Sequence, residues 1–157
     1  MIAALLGNGP SRIAFDKTLK HYDLIVGCNM PWTQEVDFTV INDLRVLNTW
    51  KEQNQPYKVW LNNKLEKEVK SKKIIGYTAV DFPFDSVAHV AFRVIVRQYG
   101  YKEVDIYGVD AMTTKSDGSY SRNFWKDEWK TERQDGWIQK WKELLDYYPD
   151  VKVEFKI

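Results

Sequence analysis

Ile2-Ala3-Ala4-Leu5-Leu6-Gly7-Asn8-Gly9-Pro10-Ser11 is the stretch on which the fold turns. Its first five residues are apolar without alternation, the signature of a strand covered on both faces in a parallel sheet. The next five form a turn that opens a helix. Glycines permit positive φ and close backbone approach, Pro10 suits an early helical position, and Ser11 can cap. A helix N-terminus at this place offers free N–H groups and a partial positive charge, the setting in which a loop meets a phosphate. The spacing is neither Gly-x-Gly-x-x-Gly nor Gly-x-x-x-x-Gly-Lys-Ser/Thr, which removes the dinucleotide fingerprint and the P-loop. Without a lysine to grip a γ-phosphate, the loop's chemical handle is the Asn8 amide, suited to a ribose, a base or a phosphate.

Outward from this stretch, short apolar runs recur at 23–28, 37–41, 58–61, 73–77, 104–107 and 151–155. Helical patterns lie between several of them, at 11–21, 43–53, 63–70, 85–99 and 121–147. In the fourth interval Asp85 and Ser86 are N-cap candidates, Val87, Val90, Ala91, Val94 and Ile95 recur at helical spacing, and Gly100 stands at the C-cap. Strand and helix in alternation predict an α/β fold: a Rossmann-like three-layer α/β/α sandwich with a mostly parallel sheet. In such sheets ligands bind beyond the carboxyl ends of the strands, at a topological switch point. Those ends read Gly7-Asn8-Gly9, Cys28-Asn29, Asn42-Asp43, Asn62-Asn63 and Gly108-Val109-Asp110. Asn, Asp and Gly also make ordinary turns and caps. Their convergence on one expected rim favours a site for a polar ligand.

The chain of 157 residues fits one domain, at ~150 residues per domain. A net charge of +1 removes the usual footprint of a non-specific nucleic-acid or acidic-membrane binder. The single Cys28 cannot close an intramolecular disulfide and fits a reducing, cytoplasmic location. With one Cys and two His, zinc sites of the common kinds are nearly excluded, and no metal is expected. No apolar run reaches the ~18 residues of a membrane span, and residues 1–6 are too short and lack the basic flank of a signal peptide.

Aromatic residues make up 15% of the chain, an excess that needs a location. Trp125, Trp129, Trp137 and Trp141 interleave with Arg122, Lys126, Lys130, Arg133, Lys140 and Lys142, which superficially suggests a nucleic-acid surface. Acidic neighbours nearly cancel that charge, and the Trp pairs are four apart with Ile138, Leu144 and Leu145 nearby. Packing against a sheet face is the stronger reading, with Tyr147, Tyr148 and Phe155 closing the final helix on the last strand. Trp32, Tyr77, Tyr120 and Phe124 are the aromatics left for stacking on a ligand.

Taken in order, Gly7-Asn8-Gly9-Pro10-Ser11, Asp23-Leu-Ile-Val-Gly-Cys-Asn29 and Gly100-Tyr-Lys-Glu-Val-Asp-Ile-Tyr-Gly-Val-Asp110 resemble the bacterial sialyltransferases of glycosyltransferase family 42. They also resemble that family's short relatives, some carried by phages. The likeness spans residues 2–110, about two thirds of the chain. It implies a Rossmann-like fold that binds a cytidine nucleotide sugar (CMP-like) without an obligatory metal or further cofactor. Carried over by motif, Gly7, Asn8, Gly9, Pro10 and Ser11 form the nucleotide loop. Asn29 meets the ribose or phosphate, Asn42 the phosphate side, and Gly108 and Asp110 close the site. Ser86 is the candidate for a Ser/Thr at the start of the helix before Gly100, although Val87 stands next to it where the family has Gly.

The family's general base is a histidine after the Gly-x-Asp strand, and this chain has none beyond residue 89. His89, which shares a helical polar face with Ser86, Arg93 and Arg97, reads as a surface histidine, and His21 as a helix-terminal one. Asp110 is left as the candidate base, with Tyr120, Arg122 and Lys126 in the segment beyond it. Two functions stay open: a small transferase using a nucleotide sugar, and an accessory protein that binds or sequesters a nucleotide without transfer. The oligomeric state is undetermined by sequence.

Overall fold

The computed structural model describes residues 1–15, 20–53, 57–62, 65, 77–80, 86–109 and 134–156. Its strands are β1 (Ala3–Leu6), β2 (Leu24–Cys28), β3 (Phe38–Ile41), β4 (Lys58–Asn62), β5 (Tyr77–Val80), β6 (Glu103–Tyr107) and β7 (Lys152–Lys156). They form one sheet in the order β5-β4-β3-β2-β1-β6-β7, and every pairing is parallel. The chain winds outward from β1 to β5, returns to the other side of β1, and continues through β6 to β7. Connections therefore leave the neighbouring strands β1 and β6 in opposite directions, which makes their carboxyl ends the switch point.

Continuous apolar strands build both covers. One face carries Ala3, Leu5, Val26, Val40, Val104 and Ile106 against α2 (Val87–Arg93), its π-helical continuation Val94–Gln98, and α3 (Gln134–Tyr147). On the other face, α1 (Leu44–Glu52) lays Val46, Leu47 and Trp50 on Ile41, Val59 and Leu61. Asp43 caps α1 by accepting from the Arg45 amide at 2.8 Å. Also on this face, Tyr22 and Phe15 cover Ala4, Leu6 and Tyr107. The arrangement is the expected α/β Rossmann-like architecture. Among the described residues, no helix is long and apolar enough to cross a membrane.

Several local expectations change. The described start of the helix expected at 11–21 is a five-residue 3-10 turn, Pro10–Ala14, with Phe15 extended after it; residues 16–19 lie outside the described residues. The stretch 85–99 divides into α2 and the π segment, which ends at Gly100 with φ 73°. The fifth strand is described over Tyr77–Val80, and residues 73–76 of the run expected at 73–77 lie outside the described residues. The expected helix at 63–70 lies outside the described residues except for Leu65, as do residues 121–133 of the long final helix.

The Trp-rich stripe is core where it is described. Trp137 and Trp141 are buried, and Trp141 meets Phe92 and Phe155 edge-on at 5.5 and 5.3 Å between centroids. Tyr147 instead stands 73% exposed, while Tyr148 takes the packing position. Trp125 and Trp129 lie outside the described residues.

Candidate functional site

At the switch point the β1 and β6 loops are tied together through their backbones. The Gly7 amide donates to the Tyr107 carbonyl at 2.7 Å, and the Gly9 amide donates to the Gly108 carbonyl at 2.8 Å. The Gly108 amide donates to Ser11 Oγ at 2.9 Å, so this hydroxyl joins the loops instead of capping a helix. A Cβ on Gly7 would fall on the Gly108 carbonyl and one on Gly108 would fall on the Gly7 carbonyl, while Gly108 itself holds φ 71°. Only glycine at both positions allows this approach. The Gly7 and Gly9 amides thus serve the loop–loop junction, and the short 3-10 turn lacks the dipole of a long helix.

Asparagines occupy the space beside that junction. Asn8 is 5% exposed, and its Nδ2 donates to the Cys28 carbonyl at 3.0 Å. The next residue, Asn29, adopts φ 55°, a left-handed conformation that Asn tolerates better than most side chains. Its backbone is fully engaged: the amide donates to the Val40 carbonyl at 2.8 Å, and its own carbonyl accepts from Thr39 Oγ1 at 2.7 Å. The side-chain oxygens of both residues, Asn8 Oδ1 and Asn29 Oδ1, are buried and have no hydrogen-bond partner among the described residues. Buried acceptors in that condition cost about 1–3 kcal/mol each, a cost that a donor-bearing ligand removes. Trp32 Nε1, three residues on, is a buried donor in the same condition, and its ring meets Phe15 edge-on at 5.9 Å.

Other expected residues are distributed around the same rim. Asn42 comes directly after β3, two strands from β1, which puts it ~10 Å away across the sheet. Ser86 is the N-cap residue of α2, but its Oγ pairs with His89 Nδ1 at 3.0 Å instead of capping the helix. His89 is not a surface histidine: it is fully buried, with Nε2 against the Trp137 carbonyl at 3.2 Å and its ring edge-on to Trp141. If Nε2 carries the proton for Trp137, Nδ1 accepts from the Ser86 hydroxyl. Burial, with Lys140 and Arg93 nearby, lowers the imidazole pKa to about 4 against the opposing pull of the Trp137 carbonyl. The other histidine, His21, is 89% exposed just before β2, at the edge opposite the carboxyl ends. Asp110, Tyr120, Arg122, Phe124 and Lys126 lie outside the described residues, and so do the side chains of Pro10 and Tyr77.

Two features escaped the sequence reading. Arg12 Nη1 donates to the Asn8 and Gly9 carbonyls at 2.7 and 3.3 Å, which brings a guanidinium onto the loop. Behind the loop, Asp105 is buried in β6, and its Oδ2 accepts from Lys20 Nζ and Tyr22 Oη, each at 2.8 Å. Tyr22 Oη also meets Tyr107 Oη at 2.5 Å, which leaves Tyr107 as the donor of that pair. Burial and these partners raise the Tyr22 pKa well above the ordinary range. A charged residue in the middle of the apolar β6 was the available signal for this network.

Burial pushes the Cys28 thiol up to about 12, so it is protonated and weakly nucleophilic at neutral pH. Among the described residues no group of three His, Cys, Asp or Glu side chains gathers to hold a metal ion. Compared with known proteins, the chain matches no protein-family model, no curated protein and no solved structure.

Proposed function

We propose that this chain binds a nucleotide or nucleotide sugar, of cytidine type by its motif resemblance, at the switch point between β1 and β6. The observation that carries the reading is the pair of buried, unpartnered amide oxygens on Asn8 and Asn29. Two buried acceptors call for donors, and ribose hydroxyls or an exocyclic amino group of a base supply them. Gly7, Gly9, Ser11 and Gly108 hold the rim in shape, and no metal is required. The test is a calorimetric and thermal-shift screen of cytidine, uridine, guanosine and adenosine nucleotides and their sugars. A ligand at 100 times its Kd stabilises the fold by about 2.7 kcal/mol, a rise of roughly 5–10 °C in Tm. No shift with any of them sinks the reading.

Binding without transfer is the second reading, and the histidines favour it. Both ring nitrogens of His89 are engaged inside the core, and His21 faces solvent at the opposite edge. Glycosyl transfer needs a base at the acceptor hydroxyl, and Asp110 is the remaining candidate for that role. Turnover of a cytidine nucleotide sugar by the wild type, lost in Asp110→Asn with binding retained, establishes the transferase. Tight binding with no turnover on any donor establishes the accessory binder.

A further inference from the structure

At the switch point the two glycine amides of the β1 loop are not free to cradle an anion. The Gly7 and Gly9 amides are held by the Tyr107 and Gly108 carbonyls, Pro10 has no N–H, and the Arg12 amide donates to the Gly9 carbonyl at 3.1 Å. The guanidinium of Arg12 lies on the same loop. Its Nη1 is fixed on the Asn8 and Gly9 carbonyls, and the foot of its side chain packs against Gly108, whose added Cβ would sit 3.3 Å from Arg12 Cβ. Arg12 therefore stands between the two loops of the switch point. Anchoring through Nη1 leaves the opposite edge of the plane, Nε–H and Nη2–H, the parallel fork that suits phosphate and carboxylate. Among the described residues that edge has no acceptor, and no carboxylate pairs with Arg12.

From this we infer that Arg12 is the anion-binding residue of the site, taking the ligand's phosphate on its Nε–Nη2 edge while the Asn8 and Asn29 oxygens take hydroxyl donors. A cation held on the Asn8 carbonyl, at the residue that carries one of the two buried acceptors, complements a sugar phosphate: an anionic group with hydroxyls a few bonds away. The sugar half of this assignment rests on the nucleotide reading above. The anion half rests on the placement of Arg12 alone.

The experiment is a titration of the full chain, wild type, Arg12→Gln and Arg12→Lys, with cytidine, CMP and inorganic pyrophosphate. Arg12→Gln is expected to weaken CMP about 10–100-fold, the range for hydrogen bonds to charged groups, and to leave cytidine within about twofold. Arg12→Lys keeps a point charge without the fork and falls between, and it carries the test if the Gln variant does not fold. Added salt weakens CMP binding to the wild type more than to Arg12→Gln. Parallel losses of cytidine and CMP overturn the inference and make Arg12 a staple of the loop. Unchanged CMP binding overturns it equally. Pyrophosphate binding that is lost in Arg12→Gln, with no nucleoside or nucleotide bound, upholds Arg12 and refutes the nucleotide reading. A wild type that binds cytidine but gains nothing from the phosphate does the reverse.

Discussion

Replacing Asn29 by glycine separates the stability of this fold from its recognition. Asn29 holds φ 55°, its backbone bonds to Val40 and Thr39 do not involve the side chain, and its Oδ1 is buried without a partner among the described residues. Removing that acceptor returns about 1–3 kcal/mol of desolvation cost. Glycine also relieves the left-handed backbone, by up to about 1 kcal/mol for a residue as tolerant as Asn. Against these stand about 0.5–1 kcal/mol for the greater freedom of glycine in the unfolded chain and about 1 kcal/mol of lost packing. The balance is a stabilisation of about 1 kcal/mol, or a Tm raised by roughly 2–4 °C in a chain of this size. Asn29→Ala deletes the same amide but keeps the positive φ, so it should be about 1 kcal/mol less stable than the glycine variant. Calorimetry with CMP should show the converse, a loss of up to about tenfold in affinity for either variant. Urea or thermal unfolding of the free protein decides the matter. A glycine variant that unfolds several degrees below wild type means that the Asn29 amide is satisfied in the free protein, and the argument from unpartnered oxygens fails.

Gly108→Ala must both hold φ 71° and place a Cβ on the Gly7 carbonyl, so it should cost more than about 2 kcal/mol and disrupt ligand binding. Gly100→Ala is the control: its φ is 73° but nothing lies within 4 Å of the added Cβ, and denaturant unfolding should show only about 1 kcal/mol. The His89 pKa of about 4 lies below the ordinary 6.5, so as pH falls the unfolded chain takes up the proton first. Stability should therefore decline between about pH 6.5 and 4 by up to about 3 kcal/mol, and Tm against pH should be flatter there in His89→Gln. Asp105→Ala strands Tyr22 Oη and Lys20 beneath the loop; since Lys20 is 39% exposed and returns to water, about 2–3 kcal/mol is the expected loss in urea titration.

The sheet was legible because several of its strands, β1 to β3 above all, are apolar without alternation, and a strand covered on both faces has few other readings. The carboxyl-end asparagines were legible for a topological reason: a doubly wound sheet gathers its strand ends on one rim. Position along that rim was not. Asn42 and Asn29 look equivalent in the sequence, yet the strand order sets Asn42 two strands from β1. His89 was misread because helical periodicity groups Ser86, His89, Arg93 and Arg97 on one polar face. A single helix does not reveal that α3 covers the first part of that face with Trp137 and Trp141. The π segment rests on Val94, Ile95 and Val96 being buried together, a packing outcome with no local signature.

A glycine-rich turn after the first strand of an α/β sheet has two physical uses, and they compete for the same atoms. Small residues bring the backbone close to a ligand, or they bring it close to another backbone. Here Gly7 and Gly108 meet face to face, and the Gly7 and Gly9 amides are bonded across the junction. In the proposed site charge recognition falls to a side chain, and Arg12, four residues after Asn8, is held there. Hydrogen-bond acceptance has to come from side chains as well, because the Asn8, Gly9 and Asn29 carbonyls are already engaged by Arg12 and Thr39. The amide oxygens of Asn8 and Asn29 are buried acceptors with no partner among the described residues. The glycines thus set the shape of the crevice and the polar side chains set its chemistry. Substitutions at Gly7 or Gly108 should therefore damage folding and binding together, whereas substitutions at Asn29 or Arg12 should move binding while the fold persists.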